Sequence, residues 1–137
     1  MSYDDSNIFA KILRGELPCI KVYEDDSVLS FMDIMPQAEG HTLVIPKQNA
    51  ETLFDLSEDA ASDFILKVQK VATAVKQAFN AKGITLFQLN GSAAGQTVPH
   101  VHFHILPASI QQAREHATHN ADSEHLQALA DKIKQHL

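Results

Sequence analysis

The chain has 137 residues, 45% of them hydrophobic and 20% charged, with a formal net charge of −6 and a single cysteine, Cys19. That length suits one domain with a sizeable core, and the acidic balance argues against a nucleic-acid binder, which needs a basic footprint. A lone thiol makes no intrachain disulfide, "MSYDDSNIFA" lacks a basic leader, and no apolar run nears the ~20 residues of a bilayer span, so a cytoplasmic protein without a membrane partner is expected.

In chain order, "NIFAKILRG" predicts a short helix. Ser6 or Asn7 can cap it, Ile8, Phe9, Ile12 and Leu13 form its apolar stripe, and Gly15 ends it. "IKVYED" and "SVLSFMDI" predict strands joined at Asp25-Asp26-Ser27, and "HTLVIP" predicts a third, closed by Pro46. The longest helix is expected over "SEDAASDFILKVQKVATAVKQAFNAKG". Phe64, Ile65, Val68, Val71, Ala72, Val75 and Phe79 make its apolar face, and Gly83 is its expected stop. "ITLFQLN" reads as a strand, "GSAAG" as a small-residue loop, and "PHVHFHILP" as a strand bracketed by Pro99 and Pro107. In the polar tail, Leu126, Leu129, Ile133 and Leu137 share one helical stripe and are expected to dock, whereas His116, His119, His125 and His136 read as solvated surface. Strands in consecutive runs favour an α+β antiparallel sheet over alternating βαβ units.

"HVHFH" concentrates the chemistry. On a strand, side chains alternate between faces, so His100, His102 and His104 share one face, and Val101, Phe103 and Ile105 face the core. At ~3.3 Å per residue, neighbouring imidazoles stand ~6.5–7 Å apart. Such a row is costly to bury without partners. It is compatible with a solvent-facing strand, with a metal site completed by His41 or an aspartate, and with nucleophilic or acid–base chemistry on a phosphate. The preceding "NGSAAGQT" favours phosphate. Its glycines let backbone approach closely, and its N–H groups with the Thr97 hydroxyl can cradle phosphoryl oxygens. It lacks the Lys-Ser/Thr ending of a P-loop.

The seven residues "HVHFHIL" resemble the His-φ-His-φ-His-φ-φ signature (φ apolar) of the histidine triad superfamily. "IFAKILRGELP", "VYEDDSVLSFMDIMPQAEGHTLVIPK" and "GSAAGQTVPHVHFHILP" are similar to its segments in the same order, from about Asn7 to Pro107. The resemblance implies one domain over 1–137, with its core about 7–107 and an extension from 108. It also implies an α+β fold of a five-stranded antiparallel sheet and two main helices plus a C-terminal helical tail, usually paired as a homodimer. The implied activity is nucleotide hydrolysis or nucleotidyl transfer at an α-phosphate. His102 would attack and carry a covalent nucleotidyl intermediate, His100 would orient it, and His104 would contact the phosphate or leaving group. Asp33 would hold the ribose hydroxyls, and Phe9, Ile12, Phe31 and Ile34 the base. Asn90, Gly95, Gln96 and Thr97 would serve the phosphate, with the Gly95 and Thr97 amides holding charge, and His41 would stand near the triad. "DIMPQAEGHTLVIPK" leans to purine nucleoside phosphoramidates; dinucleoside polyphosphates, or a nucleotide-binding regulatory role with little turnover, are the alternatives.

Three positions depart from that pattern. Asn7 and Ala10 stand where some members place two zinc-binding cysteines, so no metal and no cofactor is expected. Leu89 stands where an amide is usual, flanked by Gln88 and Asn90. Pro99 precedes the triad and stiffens its joint with the loop.

Overall fold

The computed structural model describes residues 3–113, 117 and 119–137; His116 lies outside them. The Asn7 side chain caps helix α1 (Ile8–Leu13) by accepting from Ala10 N, and Gly15, at φ +78°, turns the chain out of it. Strands β1 (Lys21–Glu24) and β2 (Val28–Met32) form a hairpin. Its turn is held by the Asp25 carboxylate, which accepts from Ser27 N and Val28 N. Strand β3 is Thr42–Pro46, helix α2 Glu58–Ala78, strand β4 Thr85–Phe87 and strand β5 Phe103–Leu106. A four-residue helix, α3 (Ile110–Ala113), and a longer one, α4 (Ser123–Lys134), complete the order. The sheet runs β1-β2-β3-β5-β4, antiparallel at every pairing, as expected.

Every residue of β2 and β3 is buried, so both faces of the sheet are covered. On one face Val28, Met32, Val44, Val101 and Ile105 join the α2 residues Phe64, Val68, Val71 and Val75, and Leu126, Leu129 and Ile133 of α4. The tail docks there, each leucine or isoleucine contributing about 1.5–3 kcal/mol by leaving water. On the other face Leu29, Phe31, Leu43 and Ile45 pack with Phe9 of α1. The functional side chains lie on this second face.

Four expectations are corrected in detail. The triad strand begins only at Phe103, because His100 N bonds back to Val98 O and Val101 N donates to Ala50 O outside the sheet ladder. Helix α2 ends at Ala78, and the chain turns away at Asn80, in the left-handed region at φ 46°, three residues before Gly83; asparagine tolerates that conformation. Ile65 (49% exposed) and Ile8 (50%) leave their predicted core stripes. Leu137 lies past the end of α4 and is exposed. His119, His125 and His136 are exposed as expected, and the His125 Nε2 meets Glu39 at 2.7 Å.

Candidate active site

The loop before the triad is shaped by two glycines. Gly91 (φ +93°) and Gly95 (φ +106°) flank the single turn Ser92–Ala94 in conformations that a side chain would strain. Gln96 pins this loop. Its Oε1 accepts from Gly91 N at 2.6 Å, and its Nε2 donates to Glu51 O at 2.7 Å and Val98 O at 3.0 Å. The Gln96 side chain is thus a brace, its polar atoms spent inside the protein. The Gly95 amide is also spent, on Ser92 O at 3.0 Å, whereas Thr97 N–H donates to no acceptor among the described residues. Of the two amides expected to hold charge, only that of Thr97 is available.

Hydrogen bonds assign a tautomer to each imidazole. His102 Nδ1 lies 2.7 Å from His100 O. A carbonyl only accepts, so Nδ1 carries the proton and Nε2 keeps its lone pair. His41 Nδ1 accepts from Gln37 N at 3.1 Å, so Nε2–H faces His104 Nδ1 at 2.9 Å and Asp33 Oδ2 at 3.5 Å. His104 Nδ1 therefore accepts, and its Nε2 is a donor. The rings of His102 and His104 stand 4.8 Å apart at their centroids, and Phe87 stacks on His104 at 4.1 Å and 9°. Phe9 meets His102 edge-on at 4.9 Å.

Burial keeps these rings neutral. It holds His102 below its ordinary 6.5 against the opposing pull of His100 O. Burial, then the neighbouring His102, lowers His41 to about 4, and burial takes His104 further still. Asp33 moves the other way: burial raises it from 3.8 to about 6, although Met35 N–H donates to its Oδ1 at 2.8 Å. A carboxyl that binds protons better when folded stabilises the fold fully below pH 3.8, and loses that contribution as pH rises through about 6. Asp33→Asn is accordingly expected to be more stable than wild type at pH 7 by on the order of 2 kcal/mol, with no gain at pH 3.5. Thermal melts of both proteins at the two pH values check this; a variant that melts lower at pH 7 would refute it.

A cavity of about 590 Å³ opens over this face, a size suited to a small organic ligand. His102 and His104 lie on its wall with Gly95, Gln96 and Thr97. Asp33 and the apolar set Phe9, Ile12, Phe31 and Ile34 complete the wall. No lysine or arginine lines it among the described residues. Three expected site residues lie off the wall. His100, fully buried, is anchored with Nε2 2.8 Å from Pro46 O. His41, also fully buried, backs His104. Asn90 is occupied with Leu53 N (2.8 Å) and the Gln88 amide; Leu89 takes the place on the wall. Phe87 is a site residue that sequence reasoning missed; its register opposite His104 makes it one.

Asp33, His41 and His104 are the one group among the described residues whose ligand atoms converge as a metal site would, all within 4.8 Å. The His41–His104 separation of 2.9 Å is shorter than the about 3.3 Å between ligands on a tetrahedral zinc, so the pair is a hydrogen bond.

Comparison with known proteins agrees with this geometry. Residues 14–111 match the HIT domain. The chain is 43% identical to "Protein hit" of Bacillus subtilis over 100 residues, 73% of this chain and 69% of that one. It is 42% identical to an adenosine 5'-monophosphoramidase of Schizosaccharomyces pombe over 102 residues, 74% of each chain. The crystal structure of a Hit-like protein from Bartonella henselae superposes with a TM-score of 0.92 at 48% identity, covering all of both chains. The extent of these matches, with a lone-pair nitrogen and an N–H donor set side by side on the cavity wall, makes the chain a member of the HIT family.

Proposed function

We propose that the protein is a nucleotide hydrolase that opens the P–N bond of purine nucleoside phosphoramidates through a nucleotidyl-His102 intermediate. One observation carries this reading: His102 sits on the cavity wall with Nδ1–H tied to His100 O, so its Nε2 lone pair is the free nucleophile. Nε2 bonds to the α-phosphorus while the P–N bond breaks and the amino group leaves as ammonia, taking a proton from water. The hydroxide so formed then attacks phosphorus, the N–P bond to His102 breaks, and the mononucleotide departs. His104 Nε2–H and the Thr97 amide are the donors for charge developing on the phosphoryl oxygens. Asp33 receives the ribose, and Phe9, Ile12, Phe31 and Ile34 the base. The S. pombe relative's activity on an adenosine monophosphoramidate supports adenosine as the first nucleoside to test.

The test is single-turnover reaction with adenosine 5'-phosphoramidate, read as AMP release and as an adenylyl adduct on the peptide holding His102. No metal is invoked, so EDTA should leave the rate unchanged. Attack requires neutral His102, whose pKa is lowered, so kcat/KM should be flat above pH 6.5 and fall at more acidic pH. Tight AMP binding with neither adduct nor turnover would establish the regulatory-module reading instead, and loss of activity on chelation a metal hydrolase.

A further inference from the structure

We propose that Tyr3 and Asn7 form a positioning clamp on His100 and, through it, fix the orientation of the nucleophile. Tyr3 Oη lies 2.5 Å from His100 Nδ1, with the two rings edge-to-face at 5.6 Å. The other nitrogen, Nε2, is 2.8 Å from Pro46 O, which can only accept, so Nε2 carries the ring proton. Nδ1 is then the acceptor and Tyr3 the donor. Asn7 Nδ2 donates to Tyr3 Oη at 2.8 Å, which leaves the hydroxyl proton for His100. Asn7 is itself held by the start of α1: its Oδ1 accepts from Ala10 N at 2.9 Å, and its Nδ2 also donates to Asp4 O at 2.7 Å.

The chain of contacts thus runs from α1 through Asn7, Tyr3 and the His100 ring to β3. His100 has no exposure and lies off the cavity wall, so it reaches the chemistry through its backbone. Its carbonyl is the acceptor that sets the His102 tautomer. Securing the ring at both nitrogens limits how His100, and with it that carbonyl, can move. Neither Tyr3 nor Asn7 lines the cavity wall; Tyr3 bears on His102 through His100, whereas Asn7 also caps α1, which carries the wall residue Phe9. The two are 97 and 93 residues from His100 in sequence, and no periodicity links them to it.

The clamp rests on the nucleophile reading above for its effect on rate, and on geometry alone for its effect on His100. Tyr3→Phe keeps the ring and removes the hydroxyl; Asn7→Ser keeps a capping oxygen and removes the donor to Tyr3. Long-range ¹H–¹⁵N spectra of the imidazoles should show His100 protonated on Nε2 with a hydrogen-bonded Nδ1 in the wild type. In Tyr3→Phe that Nδ1 signal should shift, and His100 should take its second proton at higher pH. kcat should fall about tenfold, the effect of one lost hydrogen bond, with KM within about twofold. Asn7→Ser should change the same readouts in the same direction by less, and it serves alone if Tyr3→Phe does not fold. Unchanged His100 spectra and titration in the folded variants overturn the clamp. A wild type that binds AMP without turnover overturns the hydrolase reading and leaves the spectra to decide the clamp.

Discussion

Replacing His102 with alanine is expected to reduce single-turnover release of AMP from adenosine 5'-phosphoramidate by at least ~10³-fold, with AMP affinity within about threefold of wild type. The asymmetry follows from the wall. The substitution deletes the only imidazole with a bare nitrogen on the cavity wall among the described residues, and it leaves Asp33, Thr97, Phe31 and Ile34 in place. His104 cannot substitute. Its Nδ1 is occupied by His41, and its Nε2 bears a proton. Equal rates for variant and wild type would remove the covalent intermediate; a large loss of AMP affinity would assign His102 to binding.

The second large effect is on stability. Gly40 is expected to tolerate no side chain: Gly40→Ala should lose about 3 kcal/mol and about 10 °C in Tm. The backbone there has φ +87°, and a Cβ would lie 2.8 Å from the Phe79 ring and 3.0 Å from Pro107 Cγ. The clash falls on the far end of the half-buried Phe79 ring and on Pro107, so the ring must move in addition to the backbone strain. Gly15→Ala is the control. Its φ is +78°, but nothing lies within 4 Å, so only the conformational part, about 1 kcal/mol, should appear. Equal melting of the two variants would show that packing at Gly40 is loose. Because Gly40 precedes His41, the variant should also disturb the bond to His104.

Local signals carried most of the fold. Alternation sorted Val101 and Ile105 from His102 and His104 correctly, because a covered sheet allows one apolar set per face. The tail's stripe at Leu126, Leu129 and Ile133 located a docked helix. What failed was whatever depended on hydrogen bonds made elsewhere. Asn90 and Gln96 look like ligand-facing amides in sequence, yet their partners are Leu53 N, Gly91 N and Glu51 O. The resemblance alone places His41 near the triad, and it stands there, 2.9 Å behind His104, where tertiary packing puts it. Phe87 could be found only through the β4–β5 register, and Tyr3 only from coordinates.

That no lysine or arginine lines the wall among the described residues has, on the proposed reading, a consequence for selectivity. A site lined by lysine and arginine ranks anions by charge, and its affinity falls as salt screens that attraction. On the proposed reading the phosphate meets neutral donors, on a chain of net charge −6. A triphosphate brings extra charge with no cation among the described wall residues to receive it, and takes on added repulsion from the rest of the molecule. On the proposed reading such a cavity gains nothing from added charge: nucleotides are sorted by fit at one phosphorus and one base, and a large excess of more highly charged nucleotides is expected to compete poorly.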